Sequence, residues 1–320
     1  MSRKWINIIK TVSALLWLYL ISIQIRQSMH QIDLTRLDFF RFMTVLLWVL
    51  ILAPINWCLE AIRWQTLIKK YKKVSFTSSF RSVMMGYAVG LMTPMNLGDY
   101  AGRAIGYEGA PQEAMVTTFY SGVWQNLIHY LLGALGTFYL YHYSQNKFLP
   151  AFTGIAIMAG VISIMIILFN NRVWDFFIHL IRLFRIQLKN IERFPFKINK
   201  FQNQNSRIFL FSCLRYGIYF TQYCILWKYC IPSADIVLIL VAVVSLLYIF
   251  SLIPLPSFFG LLSKTQVSIF IFNLIHADAI TASCITSMIW LSNIALASLI
   301  GIVFILQLSS TRMYYKLSNS

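Results

Sequence analysis

"LMTPMNLGDYAGRAIGYEG", residues 91–109, decides how the chain is read. It lies in a chain of 320 residues that is 58% hydrophobic and only 12% charged. Pro94 lacks an N–H and disfavours helix at Thr93, so it breaks the helix before it. Asn96 has N-cap chemistry and Asp99, three residues on, stands at the capping-box position, which starts a new helix near Leu97. Gly98, Gly102 and Gly106 then recur every fourth residue and form one smooth face. Such a face permits close helix contact or the approach of a ligand to the backbone. Asp99 and Arg103, also four apart, lie on an adjacent face and can pair. Tyr107 and Glu108 follow, and Gly109 and Pro111 end the helix.

A charged pair on a broken helix has a meaning set by the solvent. Apolar runs at 6–25, 39–62, 113–141, 148–170, 207–229, 234–253 and 280–307 approach the roughly 20 residues that cross a bilayer core. Soluble domains run near a quarter charged, and this chain has too little polar surface to cover a core of its size. The fold class expected is an all-α polytopic membrane protein. The first run is followed by no small-residue cleavage site and reads as a retained anchor.

The net charge is +17. Its basic residues cluster between the apolar runs, not on a soluble module, which speaks against nucleic acid and for anionic inner-leaflet lipids. Arg3, Lys4 and Lys10, the segment 63–81 and the segment 172–207 should all be cytoplasmic. That puts the N-terminus inside the cell (inner) membrane. Counting crossings between these segments forces 79–106 to leave and re-enter on one side, as a re-entrant hairpin or a pair of half-helices. Such backbone is tolerated at membrane depth only under cover of protein or a watery cavity.

A second interruption, "SLIPLPSFFGLLSKTQVSIF" at 251–270, contains Pro254, Pro256 and Gly260, with Ser257 able to cap the next helix. A broken hydrophobic segment in each half points to a transporter-type binding site. The expected architecture is a bundle of seven to eight transmembrane helices plus two broken segments, in pseudo-symmetric halves 1–170 and 207–320. Between them, 171–206 reads as an amphipathic helix on the inner leaflet, a plain tether, or both: Phe176, Phe177, Leu180, Leu183 and Phe184 offer an apolar stripe, and Arg182, Arg185 and Lys189 a polar one.

Polar residues inside the spans are the candidate site. A charge at mid-bilayer costs roughly 2.5–3.5 kcal/mol even on insertion scales. Arg103 has the planar fork that suits phosphate, and the positive end of a broken helix favours anions. Gln125 and His129, four apart, either line a cavity or join helices. Arg215 needs a partner or a headgroup, and Lys264 either faces the site or snorkels. With Asp99, Gly98, Gly102 and Tyr107 these make up the candidate headgroup-binding set. Asn293 reads as packing, Asp278 as a helix cap, and Glu60 and Arg63 beside Trp57 and Trp64 as a membrane interface. Cys58, Cys213, Cys224, Cys230 and Cys284 have no metal-type spacing and read as small buried hydrophobes. There is no Walker A loop, nucleophile elbow or metal cluster, so neither metal nor cofactor is expected, and transport would be gradient-driven or passive.

The run "INWCLEAIRWQTLIKK", then "GLMTPMNLGDYAGRAIGYEG", then "VTTFYSGVWQNLIHYLLGALG" resembles the lysylphosphatidylglycerol synthase transmembrane region, a flippase-like membrane family. Pro94, Gly98, Asp99 and Arg103 follow P-x-x-x-G-D-x-x-x-R, with the Arg one place later than in some members. In "PLPSFFGLLSKTQ" the family's acid is missing, and Ser263, Lys264, Thr265 and Gln266 stand there instead. The resemblance implies a compact bundle with re-entrant helices and a headgroup cavity. In full synthases a soluble aminoacyl-transferase domain follows; nothing follows residue 320 here, so a synthase is not expected. The resulting expectation is a flippase-like, non-enzymatic transporter of a phospholipid or polyprenyl-phosphate lipid. The alternatives are a membrane enzyme with Asp99 or Glu108 as base, and a scaffold for a partner lipid-modifying enzyme.

Overall fold

The computed structural model describes residues 39–91, 93, 96–183, 201, 203–232, 234–252 and 257–308, and for 39–42, 169–183, 257–260 and 262 the backbone only. Among the described residues there are nine helices and no strand. They are α1 (Phe39–Ile68), α2 (Phe76–Leu91), α3 (Gly98–Gly106), α4 (Pro111–Ser144), α5 (Leu149–Leu183), α6 (Asn205–Cys230), α7 (Ile236–Leu252), α8 (Ser257–Asn273) and α9 (Ala279–Gln307). The expected run 6–25 lies outside the described residues.

Three of these helices are long and apolar enough to cross a membrane: α1 from Met43, α5 as far as Leu168, and α9. That is fewer than the seven to eight expected. Helices α4 and α6 have the length, at 34 and 26 residues, but carry Gln125, His129, Arg215 and Gln222. Their polar side chains lower the hydropathy that marks a span, and they are turned to partners inside the bundle, Gln125 to Arg215 and Gln222 to Val49 and Asn293. Outward-facing positions are apolar: Leu135, Phe148 and Leu168 are all about two-thirds exposed. An exposed apolar surface of this extent needs a non-aqueous neighbour.

The interruption at 92–97 divides α2 from α3, and the two pack side by side as an antiparallel hairpin. Gly98 lies on the Val89 carbonyl, Gly102 on Met85 and Gly86, and Gly106 on Ser82. A Cβ on any of the three would run into α2, so the glycine face serves helix contact here and not the approach of a ligand. Gly86 completes the fit from the other side, since a Cβ there would meet the Asp99 and Arg103 side chains. At 16 and nine residues the arms measure about 24 and 14 Å, each short of a hydrocarbon core of about 30 Å.

The start of α3 differs from expectation. Leu97 is its cap residue, with no side-chain capping bond, and the Gly98 N–H donates to Thr93 Oγ1 at 2.6 Å. Asn96 instead takes the left-handed conformation at φ 58° and makes the turn, a geometry its short polar side chain tolerates. Asp99 is thereby left for Arg103. Pro94, Pro254 and Pro256 lie outside the described residues; α7 ends at Leu252 and α8 begins at Ser257. Asp278 does cap α9, accepting from Thr281 N–H at 2.8 Å. The chain 171–183 continues α5 without interruption, so the first part of the expected surface helix belongs to that 35-residue helix.

Two apolar clusters are the largest among the described residues. One joins α1, α2, α3 and α9 through Trp57, Trp64, Met84, Tyr107 and Ala297. The larger gathers α4, α6, α7, α8 and α9 around Trp227, Tyr248 and Phe272.

Candidate functional site

Asn56, Glu60 and Arg63 recur at helical spacing along one face of α1. They are buried, at 0, 1 and 3% exposure, as are Trp57 and Trp64. The expected interface role of Glu60 and Arg63 is therefore corrected: the stripe faces the bundle interior. The indoles are held there too, Trp57 Nε1 donating to the Asn293 carbonyl and Trp64 Nε1 to Thr118 Oγ1. Arg63 is likewise not part of a basic loop; the exposed lysines Lys69, Lys70, Lys72 and Lys73 follow α1.

Glu60 is the hub. Its Oε1 pairs with Arg103 Nη1 at 2.7 Å, and its Oε2 with Arg63 Nη2 at 2.6 Å and Arg215 Nη1 at 2.5 Å. Arg103 Nε donates to Asp99 Oδ1 at 2.8 Å, the i,i+4 pair read from the sequence. Gln125 Oε1 accepts from Arg63 Nη1 at 2.9 Å and from Arg215 Nη1 at 3.3 Å. Arg215 Nε donates to Asn56 Oδ1 at 3.0 Å and its Nη2 to Tyr87 Oη at 3.3 Å. Five helices, α1, α2, α3, α4 and α6, thus converge on three guanidinium groups and two carboxylates.

A polar seam extends the cluster into α9. Asn56 Nδ2 donates to Asn293 Oδ1 at 3.2 Å, and Asn293 Nδ2 to Gln222 Oε1 at 2.9 Å. Asn293 sits in a π-helical turn, Leu291–Ala295, a distortion frequent at functional sites. It does more than pack: it joins α1, α6 and α9.

Beside the cluster lies a cavity of about 340 Å³. Arg215, Gln125 and His129 line one part, Lys264 and Phe250 another, and Asn96 from the hairpin turn closes on it. Lys264 Nζ stands 5.6 Å from the Phe250 ring centroid and has no carboxylate partner among the described residues. Lys264 is among the residues that line this cavity, which favours a site-facing lysine over a snorkelling one. His129 rests edge-on against Tyr216, with Gln125 Nε2 a long 3.5 Å from its Nε2.

The expected residues therefore separate into groups. Arg215, Gln125, His129 and Lys264 share the cavity. Arg103 and Asp99 stand behind it, tied to Glu60. Gly98 and Gly102 are covered by α2. Tyr107 points elsewhere: its hydroxyl donates to Glu113 Oε2 at 2.7 Å, and burial together with that bond holds the phenol above its ordinary range. All five cysteines are half-buried, and among the described residues none is in a disulfide. Among the described residues no three His, Cys, Asp or Glu side chains gather as a metal site. Glu60 and Asn56 were the missed residues; an acid at i+4 from an amide and i−3 from an arginine within an apolar helix was the available signal.

A buried ionic cluster beside a cavity, with apolar side chains facing outward, suits a membrane family that handles charged headgroups. A sequence model of the lysylphosphatidylglycerol synthase transmembrane region matches residues 6–309. The chain belongs to this family. It is accordingly a membrane protein, and the family connects it with lipid headgroup modification or transport. No curated protein and no solved structure matches it.

Proposed function

We propose that this protein binds a phospholipid or isoprenoid-phosphate lipid by its headgroup and moves it across the cytoplasmic membrane. The observation that carries this reading is the cavity that places Arg215 and Lys264, each on a different helix, on one space inside an apolar bundle. Cations in such a place are costly unless they face a polar cavity or an anion. A volume of about 340 Å³ is that of a headgroup site, leaving acyl chains to the bilayer.

In this reading the α2–α3 hairpin is re-entrant, with both ends on the cytoplasmic side. Its short arms and the exposed lysines 69–73 support that placement. Arg103 acts through Glu60, fixing the hub that orients Arg215. Asp99 holds Arg103, while Gly98 and Gly102 let the hairpin close.

The test is a vesicle assay. Purified protein is reconstituted with fluorescent anionic lipid in the inner leaflet, and its exposure outside is followed by reductive quenching. Wild type should translocate lipid, and Lys264→Ala should slow it at least about tenfold without loss of fold. Mass spectrometry of the same lipids separates the rival: a covalently altered lipid would favour an enzyme, and no movement in the wild type would end the transport reading.

A further inference from the structure

The cavity and its ionic hub carry a charge count that specifies the headgroup. Three guanidinium groups, Arg63, Arg103 and Arg215, face two carboxylates, Glu60 and Asp99, so the cluster holds one positive charge in excess. Both acids are committed: Glu60 carries three arginines on its two oxygens, and Asp99 holds Arg103. Lys264 adds a second unmatched cation on the cavity wall. The remaining polar wall includes Asn96, Gln125, Asn126, His129, Tyr219 and Ser251, and no carboxylate lines the cavity among the described residues.

We infer that the site selects a headgroup bearing two negative charges and no amine, with a phosphate monoester as the simplest case. This rests on the lipid-transport reading and narrows its substrate. A monoester presents about two charges and three acceptor oxygens, enough to engage Arg215 and Lys264 together. A phosphodiester presents one charge and leaves a buried cation unmatched. An aminoacylated phosphodiester brings a further cation to a wall that offers it no acid. Like charges placed together inside a low-dielectric site oppose binding, so this lipid is the one excluded most strongly.

The experiment uses three lipids in the reconstituted wild-type protein: phosphatidic acid, phosphatidylglycerol and lysylphosphatidylglycerol, each at the same mole fraction. Phosphatidic acid should move at least about tenfold faster than phosphatidylglycerol, and lysylphosphatidylglycerol slowest, tenfold being the effect of about 1.4 kcal/mol. Lys264→Gln should bring the first ratio close to one, and Lys264→Arg should restore it. Equal rates for all three lipids, or a preference for the aminoacylated one, would overturn the charge rule while leaving transport intact. No movement of any lipid would remove both. Inorganic phosphate is the control for a soluble ligand: suppression of phosphatidic acid movement at equimolar phosphate would assign the site to a free anion and overturn the lipid assignment.

Discussion

Arg215 and Glu60, 155 residues apart in sequence, meet at 2.5 Å in the interior of the bundle. The pair locks α6 to α1, and through Arg103 it locks both to the α2–α3 hairpin. A carboxylate that serves three guanidinium groups is the least replaceable member of such a cluster. Removing one partner from a buried ion pair strands the other charge, at a cost of about 3–5 kcal/mol. Glu60→Gln should therefore lower stability by about that amount, measured as a fall in the thermal midpoint in detergent. Asp99→Asn, which leaves Arg103 its bond to Glu60, should cost distinctly less. Equal losses would mean that Glu60 is not the hub.

The hairpin makes its own prediction. Gly102 rests against the Met85 carbonyl and the Gly86 Cα, so a methyl group there must push two backbones apart. Gly102→Ala should destabilise by about 1–3 kcal/mol, the usual range for overpacking. Gly122, within α4, has open space where its Cβ would lie. Gly122→Ala should be neutral or stabilising by up to about 1 kcal/mol, because alanine is the better helix former. Unfolding of the two variants side by side, followed by circular dichroism in detergent, separates packing from propensity.

The cap of α9 gives a smaller and local effect. Asp278 accepts from the Thr281 N–H at 2.8 Å and from the Thr281 hydroxyl at 3.1 Å. Asp278→Ala should cost about 1 kcal/mol, the ordinary value of an N-cap, and Asp278→Asn much less. Hydrogen exchange in the first turn of α9 should rise in the alanine variant alone.

Much of the fold was legible because its signals are local. Apolar runs located most of the helices, and four-residue spacing paired Asp99 with Arg103 and aligned the glycines. Asp278 was readable from its place before an apolar run. What was not legible depends on which faces meet. Glu60 and Arg63 beside two tryptophans have the composition of a membrane interface, and only the packing of α1 against α4 and α6 shows them to be interior. Nor could spacing choose between the two uses of the Gly98–Gly106 face, since close packing and ligand approach need the same absence of side chains. The turn at Asn96 was misread as a cap because left-handed turns and N-caps favour the same residue. The count of crossings suffered from the site itself: the polar residues that build it dilute the hydropathy of the helices that carry it.

The seam through Asn293 tests whether the cluster and α9 act as one unit. Asn56 gives its amide proton to Asn293 and its carbonyl oxygen to Arg215, so its side chain links the π-turn to the ionic hub. Asn293 in turn donates to Gln222, whose own amide donates to the Val49 carbonyl at 2.9 Å. Asn293→Ala leaves buried groups on both neighbours without their partner, and should cost about 1–3 kcal/mol. Asn56→Ala should cost at least as much, since it also frees Arg215 Nε. If the seam is continuous, the double variant should lose less than the sum of the two, by about 0.5–3 kcal/mol. Unfolding of the four proteins in one detergent completes the cycle. Strict additivity would show that Asn293 only shapes α9, and that Arg215 is held without it.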